Sequence, residues 1–267
     1  MRPAAAKSGR IAAPAMVPPV DTATLAPRPD RGVAPEPIEV MWLGRTEYRE
    51  AWELQKRLAG ARADGEIGDR LLLLEHPAVL TLGKHADESH VLASPNELAS
   101  RGVEVIRVER GGEVTYHGPG QLVAYPIIAL SRRGLLLRPL VRALEAAMVA
   151  TCDAFGVEAA RRDGHPGCWC DPDGPVPRKI GALGIRVERG VSYHGIALNI
   201  APDLADFELI DACGMPGVAS TSIAAELARR GEPTGSPSVE AAAAVFARSL
   251  AAALDVTLTG DLSAAAS

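Results

Sequence analysis

Twelve residues, Arg110-Gly-Gly-Glu-Val-Thr-Tyr-His-Gly-Pro-Gly-Gln121, separate an alternating apolar run (Val103, Val105, Val108) from a second apolar run over 122–129. Four glycines and a proline fall within those twelve. The context predicts strand, turn, strand. Glycine is selected where the backbone takes a positive φ or approaches a ligand closely. A turn needs one or two polar side chains, whereas Arg110, Glu113, Thr115, Tyr116, His117 and Gln121 all crowd into this one. The stretch therefore gathers side chains and bare N–H groups around one small volume.

The remaining periodicities place this turn in an α+β chain. Apolar runs predict strands over 38–43, 71–75, 79–82, 103–108, 121–129, 168–170, 178–187 and 191–200. Helices are expected over 48–59, 138–155, 222–230 and 239–254, with a helical turn over 95–100. Leu140, Leu144, Met148 and Cys152 recur at i, i+4 and mark the buried stripe of the longest helix. Hairpins interleave with helices without regular βαβ alternation, so a mixed β-sheet with flanking helices is expected.

The domain runs over 37–258. Residues 1–36 hold seven prolines and nine alanines without periodicity and read as a disordered leader. Arg2, Lys7 and Arg10, with no acid before Asp21, make a transit peptide the lesser reading. Residues 259–267 read as a frayed tail. No run approaches the ~18–20 apolar residues of a membrane span. A net charge of −5 argues against nonspecific nucleic-acid binding. A local basic surface remains, because Arg132, Arg133, Arg138, Arg142, Arg161 and Arg162 lie close in sequence and offer a dock for an acidic partner.

Four scattered cysteines favour free thiols in a reducing compartment, hence the cytoplasm. Cys168-x-Cys170, even with His165 nearby, lacks the second pair that a structural metal requires, so no metal is expected. Cys152 falls among apolar helix residues and reads as a small core side chain. Cys213, in Asp211-Ala-Cys-Gly-Met-Pro216, sits in a turn and is the candidate nucleophile, provided that a cation or a helix N-terminus lowers its pKa. Lys179 can supply that cation. It is one of only four lysines, with Lys7, Lys56 and Lys84, among 28 basic residues. Lysine, unlike arginine, can also give up its proton when partly desolvated.

An internal echo joins two distant regions. Glu109-Arg-Gly-Gly-Glu-Val-Thr-Tyr-His-Gly118 returns as Glu188-Arg-Gly-Val-Ser-Tyr-His-Gly195. Two related hairpins facing one pocket would explain it, with His117 and His194 building wall or hydrogen bonds. No serine nucleophile elbow, P-loop or dinucleotide fingerprint is present.

Taken in order, Arg110–Gln121, Lys179–Gly184, His194-Gly-Ile-Ala-Leu-Asn199 and Cys213-Gly214 resemble the octanoyltransferases of lipoate biosynthesis. The resemblance runs from about Trp42 to Leu254 and includes Glu75-His-Pro and Thr81-Leu-Gly. It implies the fold of the biotin/lipoate protein ligases. It also implies transfer of an octanoyl (or lipoyl) group from acyl carrier protein to a lysine ε-amine. The acceptors implied are lipoyl domains of 2-oxoacid dehydrogenase and glycine-cleavage proteins.

Carried over position by position, the resemblance makes Cys213 the acyl-thioester nucleophile and Lys179 the residue that lowers its pKa. Substrate binding falls to Arg110, Gly111, Gly112, Glu113, Val114, Thr115, Tyr116 and His117, to Ala182, Leu183 and Gly184, and to Gly195, Ile196 and Ala197. No cofactor is implied, and a monomer is expected. Two departures stand out: Ala212 replaces the usual proline before the nucleophile, and Cys168 and Cys170 occupy apolar strand positions. Two alternatives remain open, an ATP-dependent lipoate or biotin ligase and a non-catalytic acyl- or carrier-binding module.

Overall fold

Leu71, Leu72, Leu73 and Leu74 cannot all face one side of a strand, and their complete burial requires cover on both faces. The computed structural model, which describes residues 36–211, 218–231 and 238–260, supplies that cover. Its strands are β1 (Ile38–Arg45), β2 (Asp69–Glu75), β3 (Val79–Leu82), β4 (Glu104–Arg107), β5 (Val114–His117) and β6 (Gln121–Ile127). They continue as β7 (Ala160–Arg162), β8 (His165–Cys170), β9 (Arg178–Glu188), β10 (Val191–Asn199), β11 (Ala219–Ser220) and β12 (Leu258–Gly260). The helices are α1 (Tyr48–Asp64), α2 (Pro95–Ser100), α3 (Leu137–Ala154), α4 (Ile223–Arg229) and α5 (Val239–Leu254).

Nine strands form one mixed sheet in the order β12-β1-β2-β6-β10-β9-β8-β7, with β11 added beside β9. The pairs β12–β1, β1–β2 and β11–β9 are parallel and the others antiparallel. α3 and α5 cover one face. Leu140, Leu144, Met148 and Cys152 are fully buried there with Phe246, Leu122, Leu198 and Ile180. Each such leucine, isoleucine, methionine or phenylalanine contributes roughly 1.5–3 kcal/mol of burial. α1 covers part of the other face through Ala51, against Leu72, Leu74, Val123 and Tyr125. The starts of α4 and α5 are set by serine caps: Ser222 Oγ accepts from the Ala225 N–H (3.1 Å) and Ser238 Oγ from the Ala241 N–H (3.0 Å).

The glycine-rich dozen is not one turn. Val114–His117 within it is a strand, β5, paired antiparallel with β3, which in turn pairs parallel with β4 in a separate three-stranded sheet. The expectation of one sheet gives way to two, because the partner of β5 lies over thirty residues upstream and leaves no local signature. The short strands β7, β11 and β12 are further additions. β12 ends at Gly260, two residues into the stretch read as a frayed tail.

At the other end Glu36 pairs with Arg62 (2.5 Å), and Arg62 also pairs with buried Asp69 (2.6 Å). Arg133 completes this cluster on Asp69, so it is structural and does not belong to the open basic surface. Among the described residues no helix is long and apolar enough to cross a membrane. Residues 1–35 and 261–267, which include most of the expected leader and tail, lie outside the described residues. So does 212–217, with Ala212 and Cys213.

Candidate active site

Small residues create the cavity. β9 and β10 pair Gly184 with Gly195 and Ala182 with Ala197, two successive pairs on the face away from α3 and α5. A sheet floored by such short side chains leaves room above it. Arg110, Gly112, Glu113, Val114, Thr115 and His117 form the opposite wall, and Tyr48, Tyr125 and His194 close one end. The cleft holds about 450 Å³ of empty space, part of it open to solvent. A second hollow of about 290 Å³ shares Thr115, Ala182 and Ala197 with the first and extends to Lys179, Gln121, Asn199 and Ser220.

A β-bulge aims Lys179 into this space. Across β8–β9, Cys168 pairs with Gly181 but Trp169 pairs with Lys179, leaving Ile180 as the extra residue. Ile180 packs in the α3/α5 core, and a Cβ on Gly181 would meet Met148 and Cys168 on that same side. Two consecutive residues thus face the helices, and Lys179 turns to the cavity face that simple alternation would have denied it. Lys179 is 8% exposed. β11 runs parallel beside it, with Ser220 opposite Lys179 and the Thr221 N–H donating to the Lys179 carbonyl (2.9 Å).

The wall is held by hydrogen bonds that all run one way. Arg110 Nη2 donates to Thr81 Oγ1 (2.8 Å), whose hydroxyl donates to His117 Nε2 (3.4 Å). His117 Nδ1–H donates to Gln121 Oε1 (2.8 Å), Gln121 Nε2 to Asn199 Oδ1 (2.9 Å), and Asn199 Nδ2 to the Thr221 carbonyl (2.9 Å). The chain begins in the glycine-rich segment and ends on the residue after β11. Nothing in it needs a charged histidine, and burial pushes the His117 pKa well below its ordinary value.

His194 stands at the closed end with φ +54, a backbone conformation that costs about 1 kcal/mol or more outside glycine. Its N–H donates to Gln55 Oε1 (2.8 Å) and its ring stacks on Tyr193. Burial lowers the His194 pKa, against the nearby Glu109 carboxylate. Burial alone would raise Glu109, but the His194 ring 3.9 Å away, the indole N–H of Trp52 that donates to it (3.1 Å) and the nearby Tyr193 hydroxyl bring it down to about 2. His76 donates from Nδ1 to the Thr46 carbonyl (2.7 Å) and accepts the Tyr125 hydroxyl at Nε2 (2.8 Å). Burial brings it down to about 4.

These three imidazoles predict acid sensitivity. An unfolded histidine protonates near 6.5, whereas folded His76 resists until about 4, so the unfolded chain binds more protons between those values. Stability is complete above about 6.5 and falls as pH drops through the window. At pH 5, His76 alone costs about 2 kcal/mol. His117 and His194 act in the same direction, while Glu109 responds only below its ordinary range. Differential scanning calorimetry is expected to show a midpoint at least about 5 °C lower at pH 5 than at pH 7. An unchanged midpoint would mean that the rings protonate in the folded state without cost.

Of the fourteen substrate-binding positions expected from sequence, twelve line the cleft. Gly111 instead packs its carbonyl onto β9, where a Cβ on Gly184 would come within 2.6 Å of it, so only glycine at 184 lets the segment seat there. Tyr116 points away: its hydroxyl donates to Asp206 (2.6 Å) and its ring meets Phe207 edge-on. Alternation along β5 explains this, since Thr115 and His117 take the cavity side. Tyr48, Tyr125 and His194 were not among the expected binding positions. His194 was signalled by the Tyr-His-Gly echo, whose two histidines share the cleft wall while Tyr116 and Tyr193 are buried away from it.

The arginines divide: Arg138 is exposed, Arg142 and Arg161 approach buried Glu145, and Arg162 lies over Trp169. Cys152, Cys168 and Cys170 are buried thiols, and no cluster of metal-ligating side chains occurs among the described residues.

Residues 47–248 match the lipoyl protein ligase A/B catalytic domain family. The octanoyltransferase of Chloroflexus aggregans is 47% identical over 193 residues, covering 72% of this chain and 86% of that protein. That of Acidobacterium capsulatum is 45% identical over 219 residues, covering 79% and 89%. Among solved structures, lipoate-protein ligase A bound with ATP superposes with a TM-score of 0.58 at 14% identity, over 85% of this chain and 88% of that one. A bipartite lipoate protein ligase from Thermoplasma acidophilum gives 0.59 at 12% identity, over 86% and 87%. These two likenesses are of fold.

Proposed function

The chain belongs to the lipoyl protein ligase A/B catalytic domain family and is an octanoyltransferase of lipoate biosynthesis, and from that premise we propose that it works through a covalent octanoyl-Cys213 thioester assisted by Lys179. The donor is octanoyl-acyl carrier protein. The acceptor is a lysine ε-amine of a lipoyl domain in 2-oxoacid dehydrogenase or glycine-cleavage proteins.

In the first half-reaction the Cys213 thiolate attacks the donor thioester. A new C–S bond forms, the old one breaks, and the carrier leaves as a thiolate that takes a proton from the Lys179 ammonium. In the second, the acceptor amine attacks the octanoyl-enzyme, an amide C–N bond forms, and the Cys213 thiolate is released. Lys179 stabilises the Cys213 thiolate as a cation; left neutral once the carrier thiolate has taken its proton, it accepts the proton shed by the amine and is again the cation beside the released thiolate. Exchange of one thioester for another is nearly isoenergetic and aminolysis runs downhill, so ATP is not consumed. Dividing the transfer lets two bulky protein partners use one site in turn. Arg110, Gly112, Glu113, Val114, Thr115 and His117, with Ala182, Leu183, Gly184, Gly195, Ile196 and Ala197, hold the octanoyl chain in the cleft. The reading extends to a monomeric enzyme in a reducing, cytoplasmic compartment.

The observation that supports this reading is the seating of Lys179. A bulge presents it to the cleft, and β11, the strand that resumes the described chain after the Cys213 segment, pairs directly beside it. Intact-protein mass spectrometry tests it. Mixing enzyme with octanoyl-acyl carrier protein, without ATP, is expected to add one octanoyl mass that a lipoyl domain then discharges. Transfer without an adduct would overturn the covalent route, and a requirement for ATP and magnesium would favour a carboxylate-activating ligase.

A further inference from the structure

Resting on the role just proposed for Lys179, we infer that Trp169 is a positioning residue for the transfer, its indole face holding the Lys179 ammonium at the cleft. Trp169 is fully buried and is the cross-strand partner of Lys179 in the bulged pairing of β8 with β9. Lys179 Nζ lies 5.0 Å from the ring centroid, and the guanidinium carbon of Arg162 lies 5.2 Å from it. The ring cannot swing away: its Nε1–H donates to the His165 carbonyl (3.0 Å), and the His165 ring meets it edge-on at 6.1 Å.

The lysine stem is confined as well. Gly167 has φ +127, and a Cβ there would stand 2.4 Å from the Gly181 carbonyl and 3.1 Å from Lys179 Cε. Glycine at 167 therefore leaves the slot that the lysine fills on its way to the indole.

The electrostatics suit a lysine that must be both cation and proton carrier. The negative face of an indole attracts an ammonium without accepting a proton from it, and the attraction grows when water is excluded. Trp169 thus holds the ammonium through its ring face.

Site-specific replacement of Trp169 by mono- to tetrafluorinated tryptophan weakens the ring quadrupole at nearly constant shape, leaving Trp42 and Trp52 unmodified. The expected result is a stepwise fall in kcat reaching about ten-fold, which is about 1.4 kcal/mol. KM for octanoyl-acyl carrier protein is expected to stay within about two-fold, because a ring that acts on the transferred proton, not on docking, changes kcat alone. In a Lys179→Ala background the residual rate is expected not to respond to fluorination.

A flat series with Lys179 intact, or a loss carried by KM, would overturn the role of Trp169. Full kcat in Lys179→Ala alone would instead remove the lysine reading on which it rests. Trp169→Phe is expected to retain more activity than Trp169→Leu; equal losses in two folded variants would count against the ring face. Should Trp169→Leu fail to fold, the fluorinated series decides.

Discussion

Replacement of Cys213 by alanine is expected to abolish octanoyl transfer, a loss of roughly 10⁴-fold or more in kcat/KM, as when a covalent nucleophile is removed from other enzymes. The thermal midpoint is expected to stay within about 1 °C, since the cysteine is proposed to act on the acyl group and not to carry the core. The octanoyl adduct disappears with it. Cys213→Ser is expected to fall nearly as far, because a hydroxyl cannot be held as an anion by a neighbouring ammonium in the way that a thiol can. Single-turnover transfer from octanoyl-acyl carrier protein to a lipoyl domain checks both variants. An alanine variant that kept more than about a tenth of the rate would mean that the acceptor amine attacks the carrier thioester directly.

Lys179→Arg is expected to retain the positive charge and still lose roughly 10²–10³-fold in kcat, the range of a proton-transfer contribution. The reason is partly chemical, since a guanidinium does not deprotonate in proteins. It is also steric: the slot beside Gly167 and the Trp169 face are shaped for a narrow methylene stem, with Cε only 3.1 Å from the position of a Cβ on 167. Pre-steady-state measurement separates the two half-reactions. Formation of the octanoyl-enzyme keeps its cation beside the thiolate, and the departing carrier thiolate can take its proton from water instead, so this step is expected to suffer less. Discharge to the lipoyl domain requires the proton of the attacking amine to be removed and is expected to carry most of the loss. Wild-type discharge in Lys179→Arg would sink the proton-carrying half of the role.

Much of this architecture was legible where neighbours in sequence are neighbours in space. The i, i+4 stripe of α3 announced itself through Leu140, Leu144, Met148 and Cys152, and α5 began and ended where its apolar pattern placed it. The strand β5 was hidden because glycines surround it and its partner is Val79–Leu82, a pairing that no window of sequence contains. The same applies to Tyr48, whose place at the cleft depends on where α1 lies over the sheet. The bulge at Ile180 was equally silent. A list of motif residues names Lys179, but only the register of β8 against β9 shows why it faces the cleft. Tyr116 illustrates the opposite case, a residue inside the motif that strand alternation turns into a clamp on Asp206 and Phe207.

The parallel pairing of β12 with β1, Ile38 beside Leu258 and Val40 beside Gly260, brings the two ends of the described chain to the same border of the large sheet. During synthesis β1 emerges early and its border remains open, with unpaired N–H and C=O groups, until the last strand leaves the ribosome. The nascent enzyme therefore passes through a period in which this border can be captured by another chain, and truncation before Leu258 would make that exposure permanent. Adjacent ends also make the fold a natural host for circular permutation. A short link from Gly260 to Glu36, with new termini opened at an exposed turn, would close that border from the first moment of folding.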